Sequence, residues 1–172
     1  MMLSLATAVP ASEPVPSLPV HADGLGAFRL GAPLVSAAKR MAHIDRAALH
    51  MGPGCDEREQ SVVTAAVAGV PATIMAMADT QGRISEVVAS APHQGAAVDL
   101  LRCQAQAQRW ARALAPRWGV GATEAPVRRG AATLTVIRLS AQGRVEARWF
   151  AGGRSCDLSV HFEPATARVA AR

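Results

Sequence analysis

The residues best suited to chemistry in this chain are its cysteines, and their spacing limits what they could do. Cys55, Cys103 and Cys156 lie far apart and form no CxxC pair. A nucleophilic cysteine needs a histidine partner that favours its thiolate. Cys55 is the candidate for a small cysteine-dependent enzyme because the segment GPGCDEREQ places it in a loop, yet the adjacent Asp56 and Glu57 disfavour the anion. The alternative roles for Cys55 are half of a disulfide and a plain loop thiol.

The pairing of the cysteines stays open at this point. Cys103 and Cys156 fall on predicted inward faces of a helix and a strand, so core packing is their expected role. In an exported protein two of the three cysteines could pair and leave one over, whereas in a cytosolic protein all three would be thiols.

The histidines do not cluster along the sequence. His43 and His50 are seven residues apart on a predicted helix, too far to chelate one ion by themselves, and His21, His93 and His161 are scattered. The chain also has no glycine-rich phosphate loop with a lysine and no GxSxG segment. The sequence therefore predicts no catalytic residue, no metal site and no cofactor, and a protein that is not an enzyme.

Arginine and tryptophan give a different signal, because these residues dominate the energetic centres of protein interfaces. Three arginines, including Arg112, lie on the outer side of the second predicted helix and two on the solvated face of a predicted strand, with Trp149 or Trp118 nearby as an anchor. The predicted partner-binding residues are Arg102, Arg109, Arg144, Arg148 and Trp149.

The charge balance favours a protein as the partner. The 18 basic residues exceed the 13 acidic ones and give a net charge of +5, with Lys39 as the single lysine. This excess falls short of the concentrated basic stripe that marks a nucleic-acid surface. No stretch approaches the roughly 20 apolar residues that cross a bilayer, so no transmembrane segment is expected.

The N-terminus predicts export to the periplasm or beyond. The stretch MMLSLATAVPAS is apolar and ends in small residues, which is typical of the second half of a secretory signal, although the charged leader is missing. Either the true start lies upstream, or the stretch is a disordered tail. The proline-rich SEPVPSLPVHADG that follows reads as an extended tether, and folded structure is expected from about Gly24.

The elements that would position these residues follow from the apolar spacing. Apolar positions three and four apart predict a helix over about 33–50 and another around Leu100–Leu114. Turn signals and β-branched runs predict strands at about 61–68, 72–79 and 83–90, and three more in TLTVIRLS, RVEARWFA and SCDLSVHFEP. In RVEARWFA, Val145, Ala147 and Trp149 alternate with arginines and Glu146, and in the last strand Cys156, Leu158, Val160 and Phe162 alternate with polar residues, which indicates one solvated face. Ile74, Met75 and Met77 are expected in the central core.

The order of elements predicts an α+β fold made by internal duplication. Each unit is a helix plus a three-stranded antiparallel meander, QGR recurs at 81–83 and 142–144, and the two units share a core. The expected division is a signal-like remnant and tether at 1–23, a first unit at 24–92, a second at 93–164 and a tail at 165–172.

The segment FRLGAPLVSAAKRM, with Phe28, Leu30 and Gly31 ahead of an amphipathic helix, resembles the leader of exported helix-and-meander modules. These are the BamE/SmpA-like outer-membrane assembly lipoproteins and the β-lactamase inhibitor protein family. The resemblance implies an exported, non-enzymatic, protein-binding or envelope-associated module. Ala32 and Pro33 depart from the methionine and threonine usual there, and no lipid-bearing cysteine follows the leader. Cytosolic type III secretion chaperones combine similar elements and are the other alternative.

Overall fold

The computed structural model describes residues 15–93, 98–115 and 121–165 of the chain. In this part of the chain the helices are α1 (Leu34–Met41) and α2 (Leu100–Leu114), with a short 3₁₀ helix at Arg46–Leu49. The strands are β1 (Ser17–Leu18), β2 (Val20–His21), β3 (Gly24–Leu25), β4 (Phe28–Arg29), β5 (Gly52–Pro53), β6 (Glu59–Val67), β7 (Val70–Ala78), β8 (Ile84–Ser90), β9 (Val127–Arg129), β10 (Ala132–Arg138), β11 (Gly143–Phe150) and β12 (Ser155–Phe162).

One large sheet organises the described residues. Its nine strands run in the order β1-β6-β7-β8-β12-β11-β10-β9, and β5 pairs with β6 off this path. The sheet is mixed because β1 is parallel to β6 while the other neighbours are antiparallel. A separate three-stranded sheet has the order β2-β3-β4.

The predicted fold class is wrong. The protein is mostly β, with a nine-stranded mixed sheet, a three-stranded sheet and two α-helices in the described ranges, and is not a duplicated α+β unit of one helix and three strands. The physical reason lies in backbone pairing that the helix-and-hairpin pattern did not include. β8 pairs directly with β12, so the meanders form one sheet, and short N-terminal strands add both to that sheet and to a second one.

The N-terminal segment is paired earlier than expected. β1 lies alongside β6, with the amide of Ala66 donating to the carbonyl of Pro16, so sheet structure begins before Gly24. Gly24 itself permits the tight β2-β3-β4 sheet, because a Cβ atom there would lie 2.0 Å from the carbonyl oxygen of Phe28.

The first helix is shorter than the predicted 33–50. It ends at Met41, and Asp45 then caps a separate 3₁₀ turn, accepting a hydrogen bond from the amide of Ala47 at 2.9 Å. The second carboxylate oxygen of Asp45 accepts from the amide of Thr64 at 2.8 Å, which ties this turn to β6. The helical path is therefore interrupted between Met41 and Arg46 even though apolar spacing continues.

Both helices pack on the same side of the large sheet. One hydrophobic cluster joins Leu34 of α1 and Trp110 of α2 to sheet residues such as Ile74 and Val160. A disulfide between Cys103 of α2 and Cys156 of β12 crosses this interface, with a Cα–Cα distance of 5.6 Å. In the described ranges, no helix covers the other side of the sheet.

The expected core residues are confirmed in part. Ile74 is fully buried and Met77 is 6% exposed, whereas Met75 is only half-buried and lies on the side away from the helices. In β12 the predicted alternation is confirmed, since Cys156, Leu158, Val160 and Phe162 are buried and the residues between them are half-buried.

The strand β9 forms one edge of the large sheet. Its three residues are all exposed, and Pro126 precedes them. No helix in the described residues is both long enough and apolar enough to span a membrane.

Candidate functional site

The side of the large sheet that faces away from α1 and α2 is called the open face. Its residues over β9–β12 follow from the pairing register, in which Arg144 is opposite His161, Glu146 opposite Ser159 and Arg148 opposite Asp157. Because side chains alternate along a strand, these pairs all point to one side. The open face therefore concentrates charged and polar groups over the middle of β11 and β12.

Three arginines surround a depression on the open face, which is called the arginine depression. It has a volume of about 460 Å³ and is lined by Arg129, Arg144 and Arg148, by Glu146, and by apolar Ala132, Leu134 and Phe150. The lining carries three positive charges and one negative charge, a net charge of +2. Apolar surface beside positive charge is the arrangement that binds an acidic group attached to an apolar body.

Glu146 organises the arginines. Its carboxylate accepts a hydrogen bond from Nε of Arg144 at 2.7 Å and another from a terminal nitrogen of Arg148 at 3.1 Å. Nε2 of His161 is 3.7 Å from the same carboxylate, and Arg144 also pairs with Glu163 at 2.5 Å. Glu146 is only 8% exposed in its side chain, so Arg144 and Arg148 are both anchored to a buried carboxylate.

The arginines differ in how available they are. Arg144 is 17% exposed in its side chain and has two carboxylate partners, whereas Arg148 is 54% exposed and has only Glu146 as an ion-pair partner in the described residues. Arg129 is exposed and forms no ion pair with any described residue. A partner on the open face would therefore meet Arg129 and Arg148 first.

Burial and charge shift the ionisation of this network in opposite directions. Burial alone would raise the pKa of Glu146, but the charges of His161, Arg144 and Arg148, with the hydrogen bond from Arg144, hold that pKa below its usual value. Burial lowers the pKa of His161 below its usual value, and nearby Glu146 offsets this only in part. The network at neutral pH is a carboxylate between two guanidinium groups.

Ser159 and His161 lie close together on β12, but their geometry is not that of an activated serine. The Ser159 hydroxyl is 2.8 Å from Nε2 of His161, the same nitrogen that faces Glu146. Nδ1 of His161 is buried and has no hydrogen-bond partner in the described part of the chain. A catalytic triad needs its carboxylate on the imidazole nitrogen opposite the serine. This pair is therefore part of the polar network around Glu146 on the open face.

A second depression adjoins the first. It has a volume of about 370 Å³, and it shares Arg148 and Phe150 with the arginine depression. On its far side Nδ1 of His93 lies 2.6 Å from the carboxylate of Asp157. The two depressions together give an extended groove, with three arginines at one end and the His93–Asp157 pair at the other.

The predicted partner-binding residues do not form one surface. Arg144 and Arg148 lie on the open face, whereas Arg102 and Arg109 lie on α2 on the other side of the sheet. Trp149 points toward the helix side, where its Nε1 donates to the carbonyl oxygen of Val98 at 2.9 Å. The suggested anchor Trp118 lies outside the described residues.

Sequence reasoning missed Arg129, Glu146, Ser159 and His161 as members of the site. Three of them could have been found from alternation, because Glu146 is two residues from both Arg144 and Arg148, and the register of a hairpin brings Ser159 and His161 opposite this strand. Arg129 lies in a stretch that contains glycine and proline and is read as a loop.

The cysteines separate into two kinds. Cys103 and Cys156 are buried and disulfide-bonded, while Cys55 is exposed and forms no hydrogen bond with a described histidine. Among the residues that the structure describes, no group of three or more histidine, cysteine, aspartate or glutamate side chains is placed to hold a metal ion.

No protein-family model, curated protein or solved structure matches the chain. The resemblance to exported helix-and-meander modules therefore stays a prediction from the sequence.

Proposed function

We propose that the chain is a periplasmic or secreted, non-enzymatic binding module, either free or envelope-associated, whose open face binds an acidic segment of a partner protein. The observation that carries the proposal is the arginine depression. Arg129 and Arg148 are exposed there beside apolar Leu134 and Phe150. A glutamate or aspartate side chain next to an apolar residue matches both kinds of surface.

The prearranged charge supports binding in preference to catalysis. Glu146 fixes Arg144 and Arg148 before any partner arrives, which lowers the entropic cost of ordering long side chains on binding. The Ser159–His161 pair lacks a carboxylate on its free nitrogen, and Cys55 lacks a bonded histidine among the described residues. Neither arrangement favours a nucleophile.

The Cys103–Cys156 disulfide supports export. Disulfides form and persist in oxidising compartments such as the periplasm and the extracellular space, and they are rare in the cytosol. This favours the exported module over a cytosolic secretion chaperone. The mass of the protein purified from its native host under non-reducing conditions tests this part. Reduced cysteines in a chain that keeps its first residues would contradict export.

The binding surface is tested with an N-acetylated, C-amidated peptide of alternating glutamate and leucine. We expect Arg129→Ala/Arg148→Ala to weaken binding by about 2 kcal/mol, or roughly thirtyfold in Kd, since a half-exposed ion pair contributes up to about 1 kcal/mol. The matched control is Arg102→Ala/Arg112→Ala, which removes the same charge from exposed positions on α2.

Two outcomes would contradict the proposal. Equal losses in the open-face variant and the α2 control would show attraction to net charge alone. Tighter binding of a single-stranded oligonucleotide than of the peptide, with the same loss in the open-face variant, would identify a nucleic-acid surface instead.

A further inference from the structure

His161 is a titratable group in the middle of the open face. Nε2 of its ring lies 2.8 Å from the hydroxyl of Ser159 and 3.7 Å from the carboxylate of Glu146. Its side chain is 12% exposed, and Nδ1 is buried without a hydrogen-bond partner among the described residues. Histidine is the side chain whose charge ordinarily changes between pH 5 and pH 8, so this ring makes the charge of the open face depend on pH.

Charged groups surround His161 on the open face. They lie on its own strand and on both neighbouring strands, and no helix in the described ranges covers this side. The groups are Arg144, Glu146 and Arg148 on β11, Glu86 on β8 with its ion-pair partner Arg58, Asp157 on β12 with its partner His93, and Glu163 just after β12 with its partner Arg144. The carboxylates of this group outnumber its guanidinium groups by four to three, so they can compensate the positive charge of a protonated His161.

His161 gains a proton before Glu146 does as the pH falls. Burial lowers the pKa of His161 below its usual value, and the charge of Glu146 opposes that shift, so the ring becomes a cation in acidic solution. Burial acts to raise the pKa of Glu146, but the neighbouring positive charges and the hydrogen bond from Arg144 hold that pKa below its usual value. The carboxylate of Glu146 is therefore still ionised when the His161 ring beside it becomes positive.

We infer that protonation of His161 strengthens binding of an acidic segment at the arginine depression, so that the protein holds its partner more tightly in acidic solution. This inference rests on the proposed function of the open face. Glu146 is the acidic residue in the lining of the depression, and its charge repels an acidic ligand. A positive His161 ring 3.7 Å from this carboxylate offsets the repulsion.

The protonated ring also changes the availability of Arg148. Arg148 is 54% exposed and donates to the same oxygen of Glu146 that Nε2 of His161 faces. A charged His161 competes for this oxygen, which leaves Arg148 freer to pair with a ligand. Because coupling between two binding events is reciprocal, a bound acidic ligand must favour the protonated form of His161 by the same factor.

The first experiment measures the Kd of the capped glutamate–leucine peptide by calorimetry from pH 7.5 to pH 5.0, for the unmodified protein and for His161→Asn. Lowering the pH should favour binding to the unmodified protein over binding to the variant by about fivefold, the contribution of one partly exposed charge pair. Both proteins meet the same ionisation of the peptide, so this ratio reports the protein alone. The matched control is His93→Asn, which removes an exposed histidine at the far end of the groove and should behave as the unmodified protein does.

The second experiment needs no variant. The ring proton on Cε1 of His161 is followed by NMR against pH in the unmodified protein, with and without saturating peptide. The peptide should move the titration of His161 to higher pH and lower its proton dissociation constant by the same factor of about five.

The outcomes separate this inference from the proposed function. A peptide that binds but leaves the titration of His161 unchanged would overturn the inference and leave the proposed function standing. The same pH dependence of Kd in a folded His161→Asn, or its loss in His93→Asn, would also overturn the inference. A peptide that does not bind at any pH would overturn both.

Discussion

Removing the Cys103–Cys156 disulfide should lower stability without changing the fold. Both cysteines are fully buried, and the bond ties α2 to β12 across the core. Reductant reaches such a bond only when the protein opens, so the double variant Cys103→Ala/Cys156→Ala is a cleaner perturbation than reduction of the native state. Cys55→Ala is the matched control, because Cys55 is exposed and unpaired with the other cysteines.

The magnitude follows from the length of chain that the bond closes. A sequence separation of 53 residues corresponds to an entropy loss in the unfolded chain of about 14 cal/mol/K, or about 4 kcal/mol at 25 °C. With a denaturant dependence of about 2 kcal/mol per molar urea, the unfolding midpoint should fall by about 2 M.

The assay is equilibrium urea unfolding followed by circular dichroism and tryptophan fluorescence. The unmodified protein should have the higher midpoint. Its mass should be lower by two hydrogen atoms than the mass of the same chain after full reduction. Coincident midpoints for the double variant and the Cys55→Ala control would refute the reasoning, because the crosslink would then contribute nothing to stability.

Three further predictions concern single side chains. Glu146→Gln should cost about 2 kcal/mol at pH 7, since a charged hydrogen-bond partner of two arginines is lost. The folded-state pKa of Glu146 lies below its unfolded value, so this stabilisation is present above the unfolded pKa and should vanish as the pH falls through the folded pKa. A stability difference between the variant and the unmodified protein that stays constant in acid would argue against this role of Glu146. His161 also has a lowered pKa, so the unfolded chain binds a proton first and stability should fall as the pH drops below about 6.5. Urea unfolding of His161→Asn should show a flatter dependence of stability on pH than the unmodified protein, and the same dependence in both would contradict this. Cys55 should react with iodoacetamide at the rate of an unactivated exposed thiol at pH 7, measured by mass spectrometry against a short cysteine peptide, and rapid labelling would favour the cysteine-dependent enzyme.

The central strands could be predicted from the sequence because their pattern is local. Alternating apolar residues and turn signals at GVP and TQG located β6, β7 and β8 to within two residues at each end. The pairing of β8 with β12 could not be read in the same way, because it joins segments about 70 residues apart and depends on which strand edges are left free. The predicted fold class was wrong because it did not include this long-range pairing.

The candidate site shows the same division between local and long-range information. Alternation along β11 puts Arg144 and Arg148 on one side and Trp149 on the other, so the prediction of Trp149 as an anchor beside these arginines was inconsistent with the strand pattern itself. The position of Arg129 could not be predicted without knowing the register of the tight turn between β9 and β10. Gly130, with a φ of 59°, closes the chain so that Arg129 lies opposite Ala132 and beside the depression.

The edge strand β9 also affects how copies of the protein meet in concentrated solution. An unpaired strand edge can template further strands and seed fibres. Here Pro126 has no amide hydrogen to offer, and Arg128 and Arg129 would bring like charges together if two such edges approached. These residues therefore disfavour self-assembly through β9, while the groove beside this strand stays accessible.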